Sequence, residues 1–402
     1  MKVAVVTSGH VPSQWAHSVA VAKNANGFVQ CGHDVEILSP ERFYESRERR
    51  KLGSITDYYG ISEDIDVRLF PDKTPYYLTD IPYVGFALDV LTFATFDMAR
   101  RIGDPERKIT AYIDEEGFDL AYCRTYRATN YLVEKGIPTI MESHSPTLRR
   151  HAQRRAIKSA TKDAFCGLVT IGESLMENFV EAGVPEEKIL VLQDGVDLEE
   201  FADPVPKSDA RSELGLPTDQ RLAMYVGSLH EDKGIRHILR VASRIPDVRF
   251  QFVGGDKDDV DTWSNTAADI GADNVQFSGY VPHREVPTYL AAADVLLMPY
   301  KTDHEVRLMD LNSTSPLKLF EYMAAERPIV SSDIPAVSRT LTHGETGLLA
   351  EPNDIDELVS YVTRILENDK FATKLAQNAR KEVTQYSWQH RCETMLDRLV
   401  VN

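Results

Sequence analysis

The segment from Ser315 to Glu321 combines residue types that could bind a phosphorylated nucleoside. Serine is a favoured N-cap and proline a favoured first helical residue, so we predict that Ser315 caps a helix beginning at Pro316. The free amides of Leu317 and Lys318, the helix dipole and the Lys318 ammonium would together attract a diphosphate. Glu321 follows one turn later on nearly the same face, where its carboxylate could accept both hydroxyls of a ribose. Taken alone, however, Lys318 and Glu321 more often form an exposed pair that contributes about 0.2 to 0.5 kcal/mol.

Two other side chains with chemical capacity follow apolar runs. Lys233 stands before Gly234, and His144 stands two residues after Glu142. Each has an ordinary alternative when considered alone. Lys233 is then a solvated lysine before a turn, and His144 is a hydrogen-bonded histidine at a strand end.

These candidates lie in a chain that alternates short apolar runs with stretches able to form helices. In the first half the predicted strands span residues 2–7, 35–38, 120–123, 139–142 and 168–171. In the second half they span residues 222–226, 250–253, 275–278, 295–298 and 329–331. This alternation predicts two doubly wound parallel sheets, and such sheets bind ligands at the carboxyl ends of their strands.

The length of 402 residues exceeds the size at which a single core stops growing, so we predict two domains. Three prolines between residues 204 and 217 punctuate the expected connection. We place the first Rossmann-like domain at residues 1–203 and the second at residues 204–385. A C-terminal helix at residues 386–402 is expected to pack back toward the first domain. The two domains would then face each other across a cleft.

Composition excludes several classes of protein. The formal net charge of −17 argues against broad nucleic-acid binding, which needs a basic surface. Four widely spaced cysteines indicate neither a zinc site nor a disulfide framework, and a reducing cytosol fits them. The amino terminus is too short in apolar residues for a signal peptide, and the apolar stretch at residues 76–99 contains three aspartates. We therefore expect a cytoplasmic protein.

The motifs resemble those of the family 4 retaining glycosyltransferases, which have the two-domain GT-B fold. The resemblance is strongest over residues 315–324, and it continues through residues 328–331 and 344–349. Further matches are residues 225–234, 252–256, 277–281 and 193–201. The resemblance implies a metal-independent enzyme that moves a sugar from a nucleoside-diphosphate sugar, UDP- or GDP-linked, to an acceptor. The first domain would bind the acceptor and the second the donor.

The resemblance also implies roles for individual residues of the second domain. A glutamate aligned with Glu321 holds the donor ribose, and the helix start at Ser315 and Leu317 holds the diphosphate. Lys233 aligns with a lysine that contacts the donor phosphates, and we expect Lys318 to assist it. Further donor contacts are expected from the loops after the strands, at Gly227, Ser228, Gly254, Tyr280 and Val281.

In the first domain, residues 141–144 resemble a strand end that presents an active-site histidine toward the transferred sugar. His144 is thus the candidate for supporting the reacting sugar, and His144, Lys233 and Lys318 are the predicted catalytic set. The loop after the first strand is expected to face the cleft, with Gly9, His10 and Gln14 as candidates.

The chain also departs from the family pattern. Members often have a glutamate eight residues before the one aligned with Glu321, and Ser313 stands there. Many have an arginine where this chain has Ser228, so one charge partner of the phosphates is missing. Our hypothesis is that Lys318 supplies the absent positive charge. No Asp-x-Asp motif with a supporting ligand set is present, since the aspartates at residues 256–259 are expected to form a solvated turn, and we expect no obligatory metal.

Three other functions share this fold. A nicotinamide-dependent oxidoreductase is disfavoured, because both halves lack the G-x-G-x-x-G fingerprint. An epimerase or hydrolase of nucleotide sugars would not need an acceptor, and a non-catalytic protein would bind the donor without turnover.

The expected acceptor is a glycan, a lipid-linked molecule or a small molecule, in polysaccharide or glycoconjugate biosynthesis. A basic cluster occupies residues 149–162 of the otherwise acidic chain, and a solvated helix face is its ordinary interpretation. The sharper hypothesis is peripheral contact with anionic lipids on the inner face of the membrane, assisted by the apolar stretch at residues 84–99.

Overall fold

The computed structural model describes residues 1–8, 11–13, 16–42, 54–72, 104–144, 150–302 and 315–400. The apolar stretch at residues 84–99 lies outside these ranges. Two parallel sheets organise the described residues, each with helices on its faces. The predicted fold class is confirmed, because two Rossmann-like units carry the two halves of the chain.

The first sheet has seven parallel strands in the order β3-β2-β1-β4-β5-β6-β7. Their bounds are β1 Lys2–Val6, β2 Asp34–Arg42, β3 Asp66–Asp72, β4 Leu120–Cys123, β5 Thr139–Ser143, β6 Phe165–Thr170 and β7 Ile189–Val191. The helices among them are α1 Ala16–Gln30, α2 Ile55–Tyr59, α3 Pro105–Glu116, α4 Tyr126–Glu134, α5 Arg150–Ala160 and α6 Glu173–Glu181. The strand order reverses between β1 and β4, so the carboxyl ends of these strands form a crevice.

The second sheet has six parallel strands in the order β10-β9-β8-β11-β12-β13. Their bounds are β8 Leu222–Val226, β9 Arg249–Val253, β10 Val275–Phe277, β11 Val295–Met298, β12 Ile329–Ser332 and β13 Leu348–Ala350. The associated helices are α7 Lys207–Glu213, α8 Ile235–Ala242, α9 Lys257–Ile270, α10 Val286–Ala292, α11 Leu317–Ala324, α12 Pro335–Ser338, α13 Ile355–Glu367 and α14 Asp369–Glu382. Here the order reverses between β8 and β11, which places a second crevice at their carboxyl ends.

Burial explains why the central strands read as continuous apolar runs. Every residue of β8 and of β11 is buried, because helices cover both faces of a parallel sheet. Strand β3 was not predicted, since charged residues and Pro71 interrupt it at the sheet edge. Strands β7 and β13 have only three residues each and also went unpredicted.

The last helix, α15 (Trp388–Leu399), packs on the first unit rather than on the second. Its Cys392, Met395 and Leu396 join Val21 and Phe28 in the core beneath the first sheet. Burial of side chains as large as methionine or leucine contributes roughly 1.5 to 3 kcal/mol each, so the first unit depends on this distant helix. No helix within the described ranges has the length and apolarity needed to cross a bilayer.

Close contact between α1 and α15 depends on Gly27. A Cβ atom at this position would lie only 2.7 Å from the carbonyl oxygen of Trp388. The two chain segments that pass between the units also pair with each other. The N–H of Val196 donates to Tyr386 O over 2.9 Å, and the N–H of Trp388 donates to Val196 O over 3.2 Å.

Candidate functional site

Helix α11 begins the site in the second unit, one residue later than expected. Pro316 occupies the N-cap position, and no side chain caps the helix. The prediction that Ser315 is the N-cap is therefore wrong. The Ser315 hydroxyl instead accepts a hydrogen bond of 2.9 Å from the backbone N–H of Asp194 in the first unit. The uncapped helix start retains donors and a positive dipole that can attract an anion.

Lys318, in the first turn of α11, lies against Tyr225 at the end of β8. Its ammonium donates to the Tyr225 hydroxyl over 2.7 Å and sits 4.2 Å from the centre of that ring. Burial lowers the pKa of Lys318 to about 7, and the nearby charge of Lys233 adds to this effect. No ion pair joins Lys318 to a carboxylate within the described part of the chain. Its positive charge is therefore weakly compensated in the ligand-free protein.

Two glycines shape the space beside Lys318. Gly227 follows β8 with φ of +144°, and a Cβ atom there would lie 2.6 Å from Lys318 Nζ. Gly254 follows β9, and a Cβ atom there would lie 2.1 Å from Gly227 O. Both turns therefore require glycine, and they bring backbone to the crevice between β8 and β11. Ser228 is exposed, and its carbonyl accepts a 2.7 Å hydrogen bond from the Tyr225 hydroxyl.

Glu321 lies one turn beyond Lys318 and is held by His283. The His283 Nε2 atom is 2.8 Å from Glu321 Oε1, and both side chains are largely buried. Burial alone would raise the pKa of Glu321, but the hydrogen bond and charge of His283, together with the charges of Lys23 and Lys318, lower it. Glu321 is therefore an ionised acceptor, and one of its oxygens is already committed to a neighbour.

Lys233 lies in the turn after β8 and is paired with its neighbour in sequence. Its ammonium is 2.7 Å from Asp232 Oδ2 and 5.4 Å from the centre of the Tyr300 ring. The charge of Lys233 is near enough to Lys318 to lower the pKa of that lysine.

The remaining residues predicted to contact the donor lie in different surroundings. Tyr280 is exposed, and its hydroxyl lies 2.5 Å from that of Tyr58 in the first unit. Val281 is partly buried and packs against the core of the second unit. The predicted acidic turn starts α9, where Asp256 and Asp259 form a reciprocal capping box. Ser313, Gly9, His10 and Gln14 lie outside the described residues.

The first unit contributes a small pocket next to Glu321. Besides Glu321, His283 and Leu317, its walls include Lys23 of α1 and Glu200 of the segment entering the second unit. Lys23 and Glu200 form a buried ion pair of 2.6 Å. The ribose-binding candidate therefore lies at the boundary of the two units.

His144 lies at the end of β5 in a second group of polar residues. Its Nε2 atom is 2.6 Å from Glu142 Oε1 and 3.9 Å from Asp194 Oδ1. Because a carboxylate can only accept, this hydrogen bond places the proton of a neutral His144 ring on Nε2. Asp194 also bonds Ser315 through its backbone, so it links His144 to the start of α11.

The arrangement around His144 has the spacing of a metal-ligand set. Ligand atoms of Glu142, His144 and Asp194 all lie within 4.8 Å of one another. Glu142 is already neutralised, since Arg391 lies at 2.6 Å and Arg124 at 3.7 Å. Two buried guanidinium groups repel a cation, so this group is better understood as a paired hydrogen-bond network.

Several of these residues were not found from the sequence. His283, Tyr225 and Lys23 act through partners 38 to 177 positions away. Arg391 lies 249 positions from Glu142. Local spacing carries no signal for such pairs. The sequence does contain one signal for Lys23. This lysine occurs among small and apolar residues that are typical of the buried face of a helix, so its charge needs a buried partner.

Comparison with known proteins supports both units. A family model described as Glycosyltransferase Family 4 matches residues 18–200, and one described as Glycosyl transferases group 1 matches residues 206–382. An uncharacterized glycosyltransferase of Methanocaldococcus jannaschii is 22% identical, covering 96% of this chain and 95% of that protein. The D-inositol 3-phosphate glycosyltransferase of a Nocardioides species is 25% identical over 52% of this chain. The chain spans about half the length of that relative, 48%.

Solved structures share the whole fold. Anabaena HepE in complex with UDP-glucose superposes with a TM-score of 0.71 at 16% identity, covering 99% of this chain and 100% of HepE. Sucrose-phosphate synthase of Thermosynechococcus elongatus gives a TM-score of 0.69 at 19% identity, covering 98% and 97%. These structures show that the chain has the GT-B fold. The two family models, one on each unit, support a glycosyltransferase of the family 4 type.

Proposed function

We propose that the crevice between β8 and β11 binds a nucleoside-diphosphate sugar. The observation that carries this proposal is the placement of Lys318 and Glu321 one turn apart at the uncapped start of α11. The amides and Lys318 would hold the diphosphate, with Lys233 moving from Asp232 to assist. Glu321 would accept the ribose hydroxyls through the oxygen that His283 leaves open.

Electrostatics supports this assignment of roles. Breaking the bond between sugar and diphosphate leaves negative charge on the phosphate, and fixed positive groups aimed at that oxygen lower the barrier. Lys318 has a weakly compensated charge, so a diphosphate would supply the counter-charge that no ion-paired carboxylate of the described residues provides. The backbone at Gly227 and Gly254, and residues Tyr280 and Val281, would border the nucleobase.

His144 is proposed to support the transferred sugar from the opposite side of the cleft. Its Nε2 proton is directed to Glu142, and within the described residues Nδ1 has no hydrogen-bond partner. Nδ1 would then accept a hydrogen bond from a sugar hydroxyl. We propose retention at the anomeric carbon, with the leaving phosphate helping to deprotonate the acceptor. The anomeric proton coupling in the NMR spectrum of the product would reveal inversion if retention is wrong.

Thermal unfolding with nucleotides tests the donor site. UDP, GDP, ADP, their sugar conjugates and NAD would be compared on wild type, Glu321→Ala and the shape-matched Glu321→Gln. A ligand at 100 times its Kd adds about 2.7 kcal/mol of stability. We expect one nucleoside diphosphate to raise Tm in the wild type and to lose its effect in both variants. A rise in Tm with NAD alone contradicts the proposal, and so does the absence of a rise with every ligand.

For the base we propose UDP first and GDP second. HepE structures are in complex with UDP and with UDP-glucose. Against this, a GDP-mannose-dependent mannosyltransferase of Mycolicibacterium smegmatis is 28% identical over 59% of this chain and 62% of that protein. The thermal comparison above separates the two nucleotides directly.

The proposed acceptor is a glycan, a lipid-linked molecule or a small hydroxylated molecule. Relatives include an alpha-galactosylglucosyldiacylglycerol synthase of Streptococcus pneumoniae, 24% identical over 57% of this chain and 59% of that protein. Donor consumption should require an acceptor. Consumption at full rate without one would instead favour a hydrolase or epimerase.

We also propose peripheral contact between α5 and anionic lipid head groups. Arg154 and Lys162 are exposed, Lys158 is bonded to Glu134, and Arg149 lies outside the described residues. Flotation with vesicles containing anionic lipid, compared with neutral vesicles and with an Arg154→Glu/Lys162→Glu variant, tests this contact. Equal flotation in all three cases, or none in any, removes it.

A further inference from the structure

Arg391 of α15 joins three parts of the first unit. Its Nη2 donates to Glu142 over 2.6 Å, and its Nη1 donates to Asn24 Oδ1 over 2.9 Å. Its Nε donates to the carbonyl of Gln193 over 2.9 Å. Only 3% of the Arg391 side chain is exposed, and none of the Glu142 side chain is. Both charges are therefore removed from water and fixed by one another.

Glu142 divides its two oxygens between different tasks. Oε2 accepts from Arg391 and from the Tyr122 hydroxyl, whereas Oε1 accepts from His144. Burial alone would raise the pKa of Glu142, but Arg391, His144 and Arg124 overcome burial and hold it well below its ordinary value. The carboxylate is thus always available to accept the Nε2 proton of His144.

We propose that Arg391 is a positioning residue that fixes the ring of His144 through Glu142. The inference rests on the proposed role of His144 in supporting the reacting sugar. Among the described residues, no hydrogen bond joins Arg391 to His144, so Arg391 acts on the ring through Glu142. Its planar guanidinium donates to Glu142, Asn24 and Gln193 from three different nitrogens, an arrangement that a lysine cannot reproduce, so the direction from which Nη2 meets the carboxylate depends on arginine.

In this arrangement α15, which follows the proposed donor-binding unit in the chain, positions His144 of the first unit. Tyr386 and Trp388 hydrogen-bond with Val196, and Trp388 lies within one turn of Arg391, so movement of the connecting segments would reach Arg391 directly. Asp194 Oδ1 is buried 3.9 Å from His144 Nε2 and has no hydrogen-bond partner among the described residues. It is the alternative acceptor to which the ring proton turns if Glu142 is misplaced.

The main test compares Arg391→Lys with Arg380→Lys. Lysine keeps the charge that Glu142 needs, so the Arg391→Lys protein should fold. Arg380 is a matched control, because this α14 arginine donates to Phe201 O and contacts neither Glu142 nor His144. We expect kcat to fall by roughly tenfold to a hundredfold in Arg391→Lys with little change in donor KM, since misplaced groups weaken catalysis more than binding. Arg380→Lys should retain both parameters.

Nitrogen-15 NMR of labelled histidines gives a readout that does not need activity. The His144 signals are those missing from His144→Gln. Wild type should show the proton on Nε2 in a hydrogen bond to a carboxylate, and both Arg391→Lys and Glu142→Gln should shift the Nε2 signal, because that proton then loses its bond to Glu142 Oε1. Wild-type His144 shifts in Arg391→Lys would overturn the proposal, whether or not transfer is detected. If no donor raises Tm but the His144 shifts change in Arg391→Lys, the proposed function is refuted and the positioning role is not.

Chemical rescue sharpens the assignment. A cavity of about 330 Å³ between the units is lined by Arg391, Asp194 and His390. Guanidinium at tens of millimolar should enter the space left in Arg391→Ala and restore at least part of kcat, while methylammonium should not. Equal rescue by both ions would mean that charge alone is required, and this outcome also overturns the positioning role.

Discussion

The two crevices of the protein differ in how their buried charges are compensated. Beside α11, Lys318 is buried against an aromatic ring, and its pKa is lowered to about 7. Beside β5, Glu142 and Arg391 are more deeply buried, yet mutual pairing drives both further into their charged forms. The first site is incomplete until an anion arrives, whereas the second is complete in advance. In the proposed function, the first site binds by receiving charge, whereas the second positions His144 by staying in place.

The largest expected effect comes from breaking the completed site. Arg391→Met leaves Glu142 buried without its nearest counter-charge, so we expect stability to fall by about 3 to 5 kcal/mol. Urea unfolding followed by tryptophan fluorescence measures this loss, because Trp388 lies one turn away. Arg380→Met, the control, should lose about 1 kcal/mol. Equal losses of stability in Arg391→Met and Arg380→Met would contradict the view that the site beside β5 is held together by mutual pairing of its charges.

The next effect concerns the incomplete site. Lys318→Met should weaken donor binding by roughly tenfold to a hundredfold, since charged hydrogen bonds contribute about 1.5 to 3 kcal/mol. Its melting temperature should not fall, because the ammonium has no carboxylate to leave behind. Isothermal titration with the preferred donor measures the affinity. Loss of binding in Lys233→Ala with none in Lys318→Ala would contradict the assignment of the missing charge to Lys318.

Titration of pH sharpens the same contrast. Free Lys318 titrates near pH 7, and a bound diphosphate would raise its pKa. The complex then binds more protons than the free protein, so donor affinity should be greatest below pH 7 and fall as pH rises through it. Lys233, Glu321 and Asp232 face the same ammonium, and the pKa of Glu321 is held below its ordinary value, so Glu321 stays ionised across this range. A nucleotide sugar should be used, because it lacks the terminal phosphate that titrates near pH 6. A flat profile in wild type, matching Lys318→Met, would sink this prediction.

The smallest expected effect lies at the exposed contact between the units. Tyr58→Phe removes a hydroxyl pair that water can replace, so we expect stability to change by less than about 1 kcal/mol. Donor affinity should stay within a factor of two. A tenfold loss of affinity, measured beside Tyr280→Phe, would show that this contact controls the cleft.

The sequence predicted what local patterns encode. Strands such as β8 and β11 were placed to the residue, because buried parallel strands are continuous apolar runs between turns. The cap of α11 was predicted one residue too early, since a distant N–H took the Ser315 hydroxyl. The His283–Glu321 and Arg391–Glu142 pairs depend on which elements the fold brings together. No spacing of residue types contains that information.

The position of α15 also bears on how the chain is made. The first unit needs Met395 and Leu396 in its core, but roughly 200 residues of the second unit are translated before them. At about 5 to 20 residues per second, a ribosome takes on the order of 10 to 40 s to add that stretch. During this interval the groove along α1 at Gly27 is open and apolar. The core of the first unit is therefore completed only after the second unit has been translated.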